Sequence, residues 1–218
     1  MRDINLNIPI ERITVVVGAS GCGKTTLLRI LGGLESADEG VVYIPDGVKM
    51  GMVFQEPRLM PWLTAWGNIV LGQRKLPPDK VQALIEMTGL AGFEKAYPRQ
   101  LSGGMQHRVS LARALAYDPD MILMDEPFAS LDYFTRETMQ KELIRIHAVS
   151  GKGIAFVTHS IDEALLLGRQ IVALGDKTVK KQYDLTAFEY PRNVLSAPLV
   201  QIKRDILDSI HLERREFA

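Results

Sequence analysis

Four short runs in this chain are apolar almost throughout: ITVVV (13–17), MILM (121–124), IAFVT (154–158) and IVAL (171–174). They lack the polar–apolar alternation of a strand with one wet face. They therefore predict strands covered on both faces, as in a parallel sheet. Helical patterns follow several of them: KTTLLRILGGL (24–34), FTRETMQKELIRIHAV (134–149) and SIDEALLLG (160–168). Strand and helix in alternation predict an α/β three-layer core with a mostly parallel sheet.

Between about 60 and 117 the pattern changes to helix formers with no clear buried strand. PDKVQALIEMTGL (78–90) predicts a helix opened by Pro78-Asp79 and stopped at Gly89. GGMQHRVSLARALAYD (103–118) predicts another, with Met105, Val109, Ala112 and Ala116 along one face. The chain thus reads as one domain, 1–218. Its core spans about 1–55 and 118–195, with a helical subdomain inserted over about 56–117. One or two amphipathic helices close it over about 196–218.

Composition narrows the classes. The 218 residues are long enough for a sizeable core. Lys+Arg and Asp+Glu both number 26, so no basic excess points to nucleic acid as a partner. A single cysteine, Cys22, rules out an intramolecular disulfide and fits a reducing cytoplasm. No apolar run approaches the roughly 18 residues of a membrane span, and no leader pattern opens the chain. Any link to a membrane is expected to pass through a partner.

The chemistry begins at Gly18. GASGCGKT (18–25) fits G-x-x-x-x-G-K-[ST], with a buried strand predicted before it and a helix after it. Glycines let backbone N–H groups curl around phosphates, and the helix start directs its positive dipole end at the anion. Lys24 adds a full charge between the phosphates, and the Thr25 hydroxyl can ligate Mg²⁺. The fold class is accordingly an α/β P-loop NTPase core. The nucleotide-binding set in this loop is Gly18, Ser20, Gly21, Cys22, Gly23, Lys24, Thr25 and Thr26. Cys22 reads as a small, tolerated side chain, because no neighbouring base is indicated to activate it.

MILMDEP (121–127) ends a predicted strand with two carboxylates. Asp125, delivered to the phosphate edge of a parallel sheet, can hold Mg²⁺. Glu126 points the other way along the pleat and could polarise the attacking water. LSGGMQHR (101–108) supplies a second anion site, a helix N-terminus with Ser102 as donor and N-cap. Two such helix starts allow one triphosphate to be shared between two copies of the chain.

GASGCGKT, VFQEP, LSGGMQHR, MILMDEP, SLD and the lone histidine of VTHS stand in this order along the chain. Together they resemble the ATP-binding cassette ATPases, over nearly the whole length. The resemblance implies ATP and Mg²⁺ as ligands. It implies that Gln55 senses Mg²⁺ and the attacking water, and that Ser102, Gly103 and Gly104 meet the γ-phosphate bound by the opposite subunit. It places Asp132 at the dimer seam and His159 on the γ-phosphate, beside the catalytic Glu126. RLMPWLTAWGNI (58–69) and FVTHSIDEALLLGRQIVAL (156–174) look like the import ATPases for nitrate, sulfonate, taurine and related solutes. The implied protein is a peripheral subunit at the cytoplasmic face of the inner membrane. It would pair with a second copy, dock on separate permease chains and serve a solute-binding protein. The alternatives are a cassette protein with no transport role, or a low-turnover regulatory subunit. The first would need a long coiled-coil insertion or a second cassette, and Glu126 argues against the second. His107, His147 and His211 read as surface or packing residues, and Trp62 and Trp66 as either permease contacts or packing.

Three features depart from the family pattern. Only 17 residues precede Gly18 and none is aromatic; the first aromatic is Tyr43. Relatives carry two further strands there and an aromatic that stacks on adenine, so the N-terminal antiparallel strands are expected to be shortened. Glu11 replaces a glycine in the turn before the loop strand, and His107 stands where the family mostly has Gln. Loss of base–aromatic stacking, worth on the order of 1–3 kcal/mol, predicts weak base choice. Competition between ATP and GTP should therefore show a preference below about tenfold.

Overall fold

The computed structural model describes residues 1–73 and 75–211. The expected extension of the C-terminal helices over 212–218 lies outside the described residues. The elements in chain order are β1 (Ile13–Gly18), α1 (Lys24–Leu31), β2 (Met50–Val53), α2 (Ala65–Ile69), α3 (Pro78–Met87), a 3₁₀ turn (Pro98–Gln100) and α4 (Gly103–Ala116). They continue with β3 (Met121–Asp125), α5 (Tyr133–Ser150), β4 (Gly153–Thr158), α6 (Ile161–Leu167), β5 (Gln170–Gly175), β6 (Thr178–Asp184) and α7 (Ala197–His211). They fall into two compact units, one of residues 1–43 and 154–218, the other of residues 44–153.

In the first unit β1 is central, with β4 and β5 as parallel neighbours. Every residue of β1 and β4 is buried, which is why their sequences are apolar runs rather than alternating ones. Each Val or Ile so buried contributes about 1.5–3 kcal/mol relative to exposure. The one hydroxyl inside β1, on Thr14, donates to Gln170 Oε1 at 3.1 Å. β6 adds an antiparallel edge, Gly175 facing Thr178 across a two-residue turn. Asp176 and Lys177 both take positive φ, 45° and 63°, the geometry of the hairpin turn whose twist matches the strands. Arg192 is buried and donates to the carbonyls of Leu165, Gly168, Leu185 and Phe188. It thereby satisfies acceptors at the C-terminal end of α6 that the helix leaves open.

In the second unit β2 and β3 pair in parallel, Met50 beside Met121 and Val53 beside Met124. The helices gather around Ala65, Ile69, Val81, Ile85, Leu90, Leu101, Val109, Ala112 and Ala116. The face expected on 103–118 is this inner face, with Met105 partly buried against the cluster. Trp66 packs here too, whereas Trp62 stands 70% exposed. Asn68 is fully buried and has all its polar atoms engaged: it accepts from Met60 N and donates to the carbonyls of Met60, Leu63 and Thr64. It fixes the loop between β2 and α2.

No strand precedes β1 among the described residues. Glu11 lies outside the left-handed region, so the turn into β1 forms without the conformation a glycine would allow. Among the described residues no helix is long and apolar enough to cross a membrane.

Candidate nucleotide site

The first unit holds the phosphate loop. β1 ends at Gly18, where a Cβ would overlap the Leu174 carbonyl of β5 and crowd Cys22 Sγ. Only glycine lets the chain turn over its neighbour there. Gly21 and Gly23 take φ of 81° and 101°, and Gly23 caps α1 without a side chain in the way. Lys24 is 5% exposed, and its Nζ donates to the Gly18 and Ala19 carbonyls at 3.0 and 2.9 Å. The ammonium is thus folded back along the loop that it closes. The cradle fits a polyphosphate: backbone donors at a helix start, a fixed cation and open space at Gly21. Cys22 is buried, and burial pushes its thiol above the usual value, with Lys24 opposing. The thiol is therefore kept protonated, in line with a space-filling role.

Val17 lies beside Thr158 in the parallel register, so His159 follows β4 at the same strand edge at which β1 ends in Gly18. Its turn is well held. Thr158 Oγ1 donates to Glu163 Oε2 at 2.5 Å and accepts from Ser160 N, while Ser160 Oγ caps α6 by accepting from Glu163 N. His159 itself is exposed.

The second unit holds the other set. Val53 and Met124 are register partners, so Gln55 and Glu126 each sit two residues beyond the same row, at the C-terminal edge where ligands of parallel sheets bind. Asp125 is buried at the end of β3. Glu126 has φ 44°. A non-glycine residue held in the left-handed region costs on the order of 1–3 kcal/mol, which the surrounding structure must offset. The stretch after Gln55 is fastened to α4, because Arg113 donates to the carbonyls of Pro57 and Arg58. Arg58 also lies over the Phe54 ring at 4.1 Å.

At the start of α4, Ser102 Oγ accepts from Met105 N at 3.3 Å, an N-cap as its residue type predicts. Ser102 and Gly103 are exposed and Gly104 is buried. A Cβ on Gly104 would overlap Thr135 in the first turn of α5. Asp132 caps α5, its Oδ1 accepting from Phe134 N and Thr135 N at 3.1 Å. The Thr135 side chain, and after it the Thr135 and Phe134 N–H groups, hold its carboxyl below the usual carboxylate range.

His107, read from the sequence as a surface or packing residue, is a buried packing residue with one polar contact. It is 4% exposed, and its Nε2 lies 2.9 Å from Ser130 Oγ. His147, by contrast, binds the Lys152 carbonyl through Nδ1 beyond the end of α5. Burial pushes the His107 imidazole below the ordinary histidine value of 6.5. The unfolded chain therefore binds a proton more readily than the folded one. The stability contribution is fully present above pH 6.5 and is lost as pH falls from there through the depressed folded value. In that window the slope is at most about 1.4 kcal/mol per pH unit. Urea melts between pH 5 and 8 should show this loss in the native chain and less of it in His107→Gln.

Asn68, Arg113, Ser130 and Thr135 were not singled out by sequence. Asn68 and Arg113 act through backbone carbonyls, which leave no spacing signature. Ser130 lay within the quoted SLD segment, but nothing in the sequence linked it to His107.

The family model for ABC transporters matches residues 1–129. An uncharacterised ABC transporter ATP-binding protein of Methanocaldococcus jannaschii is 42% identical over 219 residues, covering 94% of this chain and 82% of that protein. The aliphatic sulfonates import ATP-binding protein of Bacillus subtilis is 41% identical over 229 residues, covering 100% of this chain and 90% of its own. Among solved structures, a dimeric post-hydrolysis state of an ATP-binding cassette bound to ADP and Pi aligns with a TM-score of 0.72 at 35% identity. That alignment covers 84% of this chain and 89% of that one. With its phosphate loop, paired carboxylates and capped glycine helix start, the chain belongs to the ABC transporter family.

Proposed function

We propose that this chain is the ATP-hydrolysing subunit of an ABC importer. The observation that carries the reading is its 41% identity, across its full length, to an aliphatic sulfonates import ATP-binding protein. Retention of Glu126 supports turnover rather than nucleotide binding alone.

The residue roles follow from phosphoryl-transfer physics. The protein must align water and γ-phosphate and neutralise developing charge, with little covalent chemistry of its own. The loop N–H groups of Gly21, Gly23 and Lys24 bind the phosphates, and Lys24 Nζ turns from its carbonyl partners to the phosphate oxygens. Gly18, Ser20, Cys22 and Thr26 shape the same loop. The Thr25 hydroxyl, Asp125 carboxylate and Gln55 amide oxygen are hard oxygen donors of the kind Mg²⁺ takes. Mg²⁺, when bound, offsets charge on the β- and γ-phosphate oxygens. Glu126 accepts the proton of the attacking water, and His159 donates to the γ-phosphate. Ser102, Gly103 and Gly104 of a second copy present the α4 N-terminus to that phosphate, and Asp132 lies at the seam.

Two copies close over two ATP molecules and reopen after hydrolysis, and that motion is the mechanical output. The dimeric post-hydrolysis cassette supports the pairing. Permease chains, met through the helical subdomain of about 56–117, convert it to transport. A solute-binding protein delivers a small organic or inorganic anion of the sulfonate, taurine or nitrate kind. The working place is the cytoplasmic face of the inner membrane, peripherally attached.

The test is ATP-driven uptake in vesicles containing this chain and its permease chains. Alkanesulfonate uptake that depends on Lys24 is the expected result. Uptake of nitrate alone would change the cargo. A chain that hydrolyses ATP but drives no uptake would overturn the importer reading.

A further inference from the structure

Two contacts bind the start of α4 to the chain around the start of α5, one before that helix and one in its first turn. His107 Nε2 meets Ser130 Oγ at 2.9 Å, and Gly104, one turn earlier on the same face, lies where a Cβ would overlap Thr135. Between Ser130 and Thr135 stands Asp132, whose carboxylate is already committed to the N–H groups of Phe134 and Thr135. The start of α4 thus meets the chain on both sides of Asp132, at Ser130 and at Thr135.

The polarity of the first contact is set by burial. His107 Nδ1 is sealed from solvent and has no hydrogen-bond partner. A buried N–H without an acceptor is rarer and costlier than an unused lone pair. The proton therefore sits on Nε2, which donates to Ser130 Oγ. Ser130 is exposed, so its own O–H is left to donate outward, beside Asp132. A residue whose only task is to fill space on the inner face of α4 would carry no polar atom to leave orphaned.

We propose that His107 is a positioning residue: it fixes the Ser130 hydroxyl as an outward donor and makes the α4 start and the 130–132 turn shift together during turnover. This rests on the ATPase reading above. It adds a link, absent from the sequence motifs, between the helix start that meets one nucleotide and the turn that follows Glu126.

The test is steady-state ATP hydrolysis by the full chain and by His107→Ala, Ser130→Ala, the double variant and His107→Gln. Each is first checked for a native thermal transition. His107→Ala and Ser130→Ala should each lower kcat by about 5- to 20-fold with KM for ATP within about twofold, a transition-state effect rather than lost binding. The double variant should fall no further than either single, because both remove one shared contact. His107→Gln, which can donate from a similar position, should recover at least about half the native rate. If His107→Ala does not fold, Ser130→Ala and His107→Gln still decide. Native kcat in Ser130→Ala, or effects that multiply in the double variant, would overturn the proposal. An inactive native chain would instead remove the ATPase reading on which it stands.

Discussion

Glu126→Gln should lower kcat for ATP hydrolysis at least about 100-fold while leaving ATP affinity within about twofold. A positioned general base contributes typically about 10²–10⁴-fold, and glutamine has the shape of the carboxylate without its basicity. Glu126 follows β3 directly, at the strand edge it shares with Gln55. Its φ of 44° is a conformation that only surrounding structure can hold in a non-glycine residue. Glutamine tolerates that backbone as well as glutamate does, so the variant should fold and bind normally. Stopped-flow binding beside phosphate release separates the two effects. A variant that hydrolyses ATP within tenfold of native would remove Glu126 from the role of base.

Lys24→Ala should do the opposite and weaken ATP binding itself, by about 30-fold or more. A charge-assisted hydrogen bond contributes about 1.5–3 kcal/mol, and every 1.4 kcal/mol is tenfold in affinity. Lys24 is buried at the start of α1. Its ammonium now satisfies the Gly18 and Ala19 carbonyls, so removal takes away both the phosphate's cation and a tie across the loop. Lys24→Arg keeps charge but is too large for a loop this closely folded, and it should recover little affinity. Titration calorimetry with Mg-ATP reads both. Native affinity in Lys24→Ala would mean that the phosphates bind elsewhere.

These residues were legible in the sequence because their chemistry is tied to short spacings. GASGCGKT needs only eight positions, and the runs before and after it announced β1 and α1. Strands buried on both faces were equally plain, since nothing polar interrupts 154–158 or 171–174. β2 was missed because it is four residues long, carries Gly51 and buries only alternate positions. β6 was missed because TVKKQYD is a polar edge with no fully buried position, and because its hairpin turn is Asp-Lys rather than a glycine pair. α2 has five residues and depends on Asn68 and the Thr64 cap, so local propensity alone would not call it. His107 was noticed as a departure from the family, yet its contact with Ser130 spans 23 positions, beyond any periodic signal. Trp62 and Trp66 read alike in sequence; packing against the helical cluster separates them.

The central claim is that ATP closes two copies of this chain over a shared nucleotide. The most direct measurement is the mass of the Glu126→Gln chain in solution by sedimentation, with and without Mg-ATP. Blocking hydrolysis should trap the closed form, so the account predicts a monomer without nucleotide and a dimer with ATP. It also predicts that adding Ser102→Arg, which obstructs the α4 start, returns the monomer. A folded Glu126→Gln chain that stays monomeric at saturating Mg-ATP would contradict it.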